Sequence, residues 1–178
     1  MITGHVFIAT SLDGFIARTD DSLDWLMKHD GGGADTGYQA FIDSVDGIVM
    51  GRTSFQTVLG FGGAWPYPVP VVVMSRSLAS SDIPEALRDR VEVSAAAPAD
   101  LMAGLDGRGW RRVYVDGGQV IRAFLEARLI TDMVVTVAPV LIGAGKPLFG
   151  GLARDIDLDL VAVRSIPPGF VQVSYRVK

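Results

Sequence analysis

Cysteine is absent from the 178 residues, and with it go disulfides, thiolate nucleophiles and cysteine-ligated zinc. Histidine is scarce. His5 and His29 are the only two and lie far apart along the chain, which argues against a histidine metal site or a Ser-His-Asp triad, so no metal is expected. There is no long basic run, and the formal net charge of −4 argues against nucleic-acid binding. No apolar window reaches the length of a membrane span. The opening Met1-Ile2-Thr3-Gly4-His5 lacks the charged and apolar regions of a signal peptide, so a cytoplasmic location is the expectation. The usual dinucleotide fingerprint is also missing, since no Gly-x-Gly-x-x-Gly follows an apolar strand. Gly31-Gly32-Gly33 reads as a flexible loop. Gly143-Ala144-Gly145-Lys146 runs into Pro147, unlike an ATPase phosphate loop.

What is present is a globular chain, 49% hydrophobic, of a length that fits a single domain over residues 1–178. Its most informative stretch is Val113-Tyr114-Val115-Asp116-Gly117-Gly118-Gln119. A short apolar strand over 112–115 ends in paired glycines. Val120, Ile121, Phe124, Leu125 and Leu129 then recur at helical spacing, and Met133–Val137 follows as an apolar strand suited to burial on both faces. The outline is βαβ. Paired glycines let backbone approach a ligand, and the helix start behind them offers free N–H groups to an anion.

The same reading gives strands at Val6–Thr10, Gly47–Met50, Val71–Met74 and Val91–Ser94. Phe15-Ile16-Ala17 leads into a polar loop, and Leu23–Leu26 reads as a short helical turn. Helices are expected over Tyr38–Val45 and Pro98–Leu105. Another runs from Thr53, where Thr53 and Gln56 have capping-box spacing, to near Gly60. Pro139–Phe149 reads as a strand entering a glycine-rich loop. Val171, Val173, Tyr175 and Val177 alternate with polar residues, as in an antiparallel edge strand. They pair with Leu158–Ser165 across the Pro167-Pro168-Gly169 turn. The fold class is α/β, with a mostly parallel central sheet, flanking helices and an antiparallel C-terminal hairpin.

Three strands end in phosphate-friendly residues: Gly51-Arg52-Thr53, Ser75-Arg76-Ser77 and Gly117-Gly118-Gln119. Arginine forks with neighbouring hydroxyls suit phosphate, and two such clusters beside a dinucleotide crevice favour the 2′-phosphate of NADPH over NADH. Other candidates carry two readings. Asp13 is a substrate contact or an Asp-Gly turn residue, and Asp35 a catalytic group or a solvated carboxylate. Asp116 touches ligand or hydrogen-bonds the Gly-Gly turn. Trp25 covers a substrate ring or fills core, and Lys146 meets an anionic substrate or is simply exposed. Trp65 reads as a loop anchor and Trp110 as a partly buried surface residue.

Read in order, Ser11-Leu12-Asp13-Gly14-Phe15-Ile16-Ala17, Asp24-Trp25-Leu26, Asp46-Gly47-Ile48-Val49-Met50-Gly51-Arg52-Thr53, Val115-Asp116-Gly117-Gly118 and Ala138-Pro139-Val140-Leu141-Ile142-Gly143-Ala144-Gly145 resemble the dihydrofolate-reductase-like superfamily. Within it the chain is most similar to the reductase domain of the bifunctional riboflavin-biosynthesis deaminase/reductase and its free-standing relatives. The resemblance covers nearly the whole chain and implies a three-layer dihydrofolate-reductase-like fold with NADPH across the carboxyl ends of the sheet. Gly51, Arg52 and Thr53 would hold the adenosine-phosphate side, with Ser75 and Arg76 at the 2′-phosphate. Gly117, Gly118, Gln119 and Val120 would receive the pyrophosphate. Ala9, Ile16 and the Thr10–Ala17 segment would wall the nicotinamide. Substrate would lie near Asp13, Trp25, Leu141 and Gly143, with Asp13 and Asp35 as the catalytic candidates.

The implied activity is NADPH-dependent hydride transfer to a pyrimidine or pteridine-like heterocycle, in a homodimer. Two alternatives stand beside it: reduction of dihydrofolate itself, and an NADPH-binding protein without catalysis. The zinc motif of the deaminase half cannot be present without cysteine, and no basic residues match those that grip the ribose phosphate in the bifunctional enzyme.

Overall fold

The computed structural model describes residues 1–29 and 34–178. Gly31-Gly32-Gly33, expected as a flexible loop, lies outside the described residues. Eight strands form one sheet: β1 (Thr3–Ser11), β3 (Gly47–Gly51), β4 (Val71–Met74), β5 (Val91–Ser94), β6 (Arg112–Asp116), β7 (Ile130–Ala138), β9 (Leu158–Ile166) and β10 (Phe170–Val177). Their order is β5-β4-β3-β6-β1-β7-β10-β9. The six from β5 to β7 are parallel, while β10 runs antiparallel to both β7 and β9. β2 (Phe15–Ala17) and β8 (Lys146–Pro147) pair as a separate two-stranded ribbon. The helices are α1 (Asp24–Met27), α2 (Tyr38–Ile42), α3 (Arg52–Gly60), α4 (Pro98–Gly107) and α5 (Gly118–Glu126).

Alternation along the parallel strands feeds two apolar clusters. Val49, Val72, Val113 and Val115 join Leu101, Met102 and Leu105 of α4 and Ile121, Phe124 and Leu125 of α5. Ile48, Met50, Val71, Val73 and Tyr114 join Ile42 of α2 and Phe55 of α3. With both faces covered, these strands carry continuous apolar runs. Burial of each large side chain on α5 contributes roughly 1.5–3 kcal/mol, which fixes the start of that helix against the sheet.

Four expectations are corrected. α3 begins at Arg52 with Gly51 as its N-cap and no side-chain cap, so the Thr53–Gln56 capping box does not form. Residues 139–145 are not a strand. Pro139 lacks a donor, and a tight turn joins the Val140 N–H to the Ala138 carbonyl, so only β8 pairs in this segment. Its partner is Phe15–Ala17, a strand that leads into the expected polar loop.

Finally, β10 is not the edge strand; β9 is. The expected wet and dry faces of β10 are also exchanged near its start, where Gln172 is buried and Val171 is exposed. The cause lies across the sheet. The Gln172 amide donates to the Thr36 carbonyl (3.0 Å) and to Thr136 Oγ1 (2.8 Å), so the segment before α2 covers the polar face there and leaves the valine face bare.

Candidate active site

Because six strands are parallel, their carboxyl ends share one edge of the sheet, and registers Gly51↔Met74 and Met50↔Asp116 align the ends of β3, β4 and β6. Two helices start there, α3 after Gly51 and α5 after Gly117, and neither has a side-chain cap. Their first-turn N–H groups therefore remain open to an anion. Gly117 has φ +88°, and a Cβ on it would lie 2.6 Å from Ser54 Oγ and 3.9 Å from the Gly51 nitrogen. The two glycine turns are neighbours, and side chains at them would fill the space between them. Val120 packs beneath Gly51, with its Cγ2 3.3 Å from where a Gly51 Cβ would stand, while Gln119 is exposed.

Beside this cradle, Arg52 Nη1 donates to Ser77 Oγ at 2.9 Å, which holds the exposed guanidinium over the β4 end. The Ser75 hydroxyl accepts the N–H groups of Ser77 (3.2 Å) and Leu78 (3.0 Å) and so shapes the turn that exposes Arg76. Gly51, Arg52, Thr53, Ser75, Arg76, Gly117 and Gly118 thus gather along one edge, as the sequence pattern implied.

The β2–β8 ribbon straps the loop after β1 to the loop after β7. The Asp13 carboxylate accepts Ser11 Oγ–H at 2.6 Å and the N–H groups of Ile142 (3.1 Å) and Gly143 (2.7 Å). These bonds, led by Ser11, hold its pKa below the usual carboxylate value. The Leu148 N–H donates to the Gly14 carbonyl at 3.0 Å, and Lys146 ion-pairs with Asp21. The strap sits against α5, since a Cβ on Gly118 would lie 2.9 Å from the Pro147 carbonyl oxygen and 3.1 Å from Ile16 Cδ1. Leu141 projects to solvent on the same loop.

Asp35 is exposed and accepts the Gly37 N–H at 2.8 Å, the geometry of an Asx turn. Trp25 is 1% exposed and packs in a third cluster with Ala138, Ile166 and Phe170. His5 lies at the far, amino-terminal edge, where its Nδ1 is 2.8 Å from Asp132 Oδ2. Among the described residues there is no acidic, histidine or cysteine cluster fit for a metal, and no helix long and apolar enough to cross a membrane.

Sequence reasoning underrated one group. Asp116 closes β6 directly before the glycine pair and is partly buried. Burial pushes its carboxyl up, against the lowering effect of hydrogen bonds from Tyr114, the Gly117 N–H and Ser54. Its contact with the Gly-Gly turn matches the structural reading, yet three tyrosines also surround it. Tyr114 Oη donates to the Phe7 carbonyl (2.9 Å) and reaches Asp116 Oδ1 (3.3 Å), and Tyr38 and Tyr67 both feel its charge. A charge ending an otherwise apolar strand was the available signal.

A mostly parallel sheet with an antiparallel hairpin, and two glycine-started helices at its carboxyl edge, define an α/β protein with a candidate anion site. Residues 3–172 match the model of the RibD C-terminal domain, and the chain belongs to that family. It is 30% identical to the uncharacterized protein YwjB of Bacillus subtilis over 96% of this chain and 95% of that protein. It is similar to the crystal structure of a putative riboflavin biosynthesis protein from Shewanella sp. PV-4, with TM-score 0.93, 38% identity and 99% of each chain covered. It shares its fold with the Thermotoga maritima diaminohydroxyphosphoribosylaminopyrimidine deaminase/5-amino-6-(5-phosphoribosylamino)uracil reductase. There the TM-score is 0.72 at 15% identity, over 99% of this chain and 57% of that one.

Proposed function

We propose that this chain is a reductase that passes hydride from NADPH to a pyrimidine or pteridine-like heterocycle. The observation that carries the reading is the pair of uncapped, glycine-started helices whose first turns meet at Gly51 and Gly117. When bound, NADPH supplies the hydride. The N–H groups of Gly118, Gln119 and Val120 hold its pyrophosphate, and Gly51 and Thr53 hold the adenosine side. Arg52 joins Gly51 and Thr53 on that side, while Ser75 and Arg76 take the 2′-phosphate, which would favour NADPH over NADH. Ala9 and Ile16 wall the nicotinamide, and the Leu141–Gly143 loop borders the acceptor.

Asp13 serves in this reading as a positioning residue, since its carboxylate is committed to the strap. The proton that accompanies hydride must reach a ring heteroatom. Asp116 is the group suited to hold it, because burial favours its neutral form. Reduction of dihydrofolate through Asp35 has less support, because its ring needs a buried carboxylate and Asp35 is exposed. The titration that tests the reading follows NADPH and NADH binding by fluorescence, in the parent protein and in Arg52→Ala and Arg76→Ala. Tight NADPH binding weakened by either substitution supports it, and no binding of either nucleotide overturns it. NADPH binding without oxidation by any heterocycle favours the non-catalytic alternative.

We also propose a cytoplasmic homodimer joined through the bare face of the C-terminal hairpin. Leu160 (61% exposed), Val163 (58%) and Val171 (42%) present apolar surface beside the unpaired edge of β9. Such an edge and patch are liabilities unless covered. Sedimentation of the parent protein and of Val163→Asp tests this, with a dimer and a monomer as the expected results.

A further inference from the structure

After β8 the chain runs back along α5. Gly118 and Arg122 stand four residues apart and so share one face of that helix. The returning chain touches both. The Pro147 carbonyl oxygen lies 2.9 Å from where a Gly118 Cβ would stand, and the half-buried Arg122 donates from Nη1 to the Gly150 carbonyl. Between these two contacts Leu148 is buried in the cluster of Ile121 and Phe124, while its N–H reaches the Gly14 carbonyl at 3.0 Å. Gly150 admits no side chain, since a Cβ there would lie 2.8 Å from Pro147 Cγ. Further on, Arg154 Nη2 donates at 3.2 Å to the carbonyl of Glu126, the last residue of α5. Behind residues 149–156 lies an open cavity of about 650 Å³, lined by Leu125, Met133, Phe149, Leu152 and Ile156. Packing alone therefore leaves this stretch loose, and two arginines lace it to the helix.

The consequence reaches the strap. Arg122 fixes Gly150, which packs on Pro147, and Leu148 ties the same segment to Gly14. The β2–β8 ribbon is thereby held at one distance from the first turn of α5. Ile16 belongs to that ribbon, with its Cδ1 3.1 Å from the Gly118 Cβ position. We infer that Arg122 is a positioning residue that sets the nicotinamide wall against the pyrophosphate cradle. This role rests on the NADPH reading and deepens it. Arg122 acts through Gly150 and the strap, on the nicotinamide end of the cofactor. The adenosine and pyrophosphate contacts come from α3, the β4 end and the backbone of α5 itself, and stand without it.

The test compares NADPH with 2′-phospho-ADP-ribose, which keeps the phosphates but lacks nicotinamide, by calorimetric titration. Arg122→Ala is expected to weaken NADPH binding about tenfold and to leave 2′-phospho-ADP-ribose binding unchanged. Arg122→Lys, which keeps a donor for the Gly150 carbonyl, is expected to show the same selective loss in smaller measure, and it decides the matter should Arg122→Ala not fold. Hydrogen exchange of the ligand-free proteins reads the strap directly. The Leu148 and Gly143 amides are expected to exchange about tenfold faster in Arg122→Ala, with the β3 and β6 amides unchanged. Equal weakening of both ligands, unchanged NADPH binding, or unchanged exchange at Leu148 overturns the inference and leaves the cofactor reading intact. A parent protein that binds neither nucleotide overturns both.

Discussion

The Asp13 carboxylate accepts the Gly143 N–H at 2.7 Å across 130 positions of sequence, and this contact ties the loop after β1 to the loop after β7. Asp13→Ala removes that acceptor together with the bonds to Ser11 and Ile142. The expected result is a lower thermal midpoint by calorimetry. Asp13→Asn, which keeps one carbonyl acceptor, is expected to fall between Ala and the parent protein.

Gly117→Ala is expected to raise the NADPH dissociation constant at least tenfold in a fluorescence titration. The substitution strains φ +88° by about 1–2 kcal/mol and drives a methyl against Ser54 Oγ at 2.6 Å. Adding Ser54→Ala relieves the contact but not the backbone strain, so binding recovers only in part.

At the opposite edge, Gly47 lies under Trp110, whose ring occupies the space a Cβ would need. Gly47→Ala is expected to lower stability by more than 1 kcal/mol in urea denaturation, with NADPH binding retained. In a Trp110→Ala background the same change is expected to cost much less, a non-additivity that identifies the clash.

Acid and neutral pH act on different carboxylates. Hydrogen bonds from Arg18 and then Ser22 hold Asp24 at about 2, and the N–H groups of Arg112 and Arg111 hold Asp46 below its ordinary value. Their folded values are depressed, so their stabilisation is complete above about pH 4 and drains as the pH falls toward 2. Asp116 has the reverse sign. Its folded value is raised, so the protonated carboxyl stabilises at low pH, and that contribution is lost as the pH rises through the raised value. Asp116→Asn is therefore expected to melt higher than the parent protein at pH 7.5 and to match it near pH 3, while slowing hydride transfer at both.

Central strands were legible because burial on both faces writes continuous apolar runs, as at Gly47–Gly51 and Val71–Met74. The hairpin was legible from alternation around a proline-glycine turn. Its buried face was not, because Gln172 is covered by a carbonyl of Thr36, far away in sequence. The glycine and arginine positions of the candidate site followed from strand ends. The β2–β8 ribbon did not, since three residues pairing with two leave no periodicity to read.

Among the eight strands of the sheet, β1 comes first in chain order and sits inside the sheet. Its partners are β6 and β7, and the His5–Asp132 contact spans 127 positions. During synthesis, Val6 and Ile8 wait with both strand edges unpaired until most of the chain has left the ribosome. Sheet closure is thus a late, long-range event, and chains of this design fold slowly. A nascent chain halted before β7 holds an apolar strand with one flank open, the kind of unpaired edge that invites association with another chain.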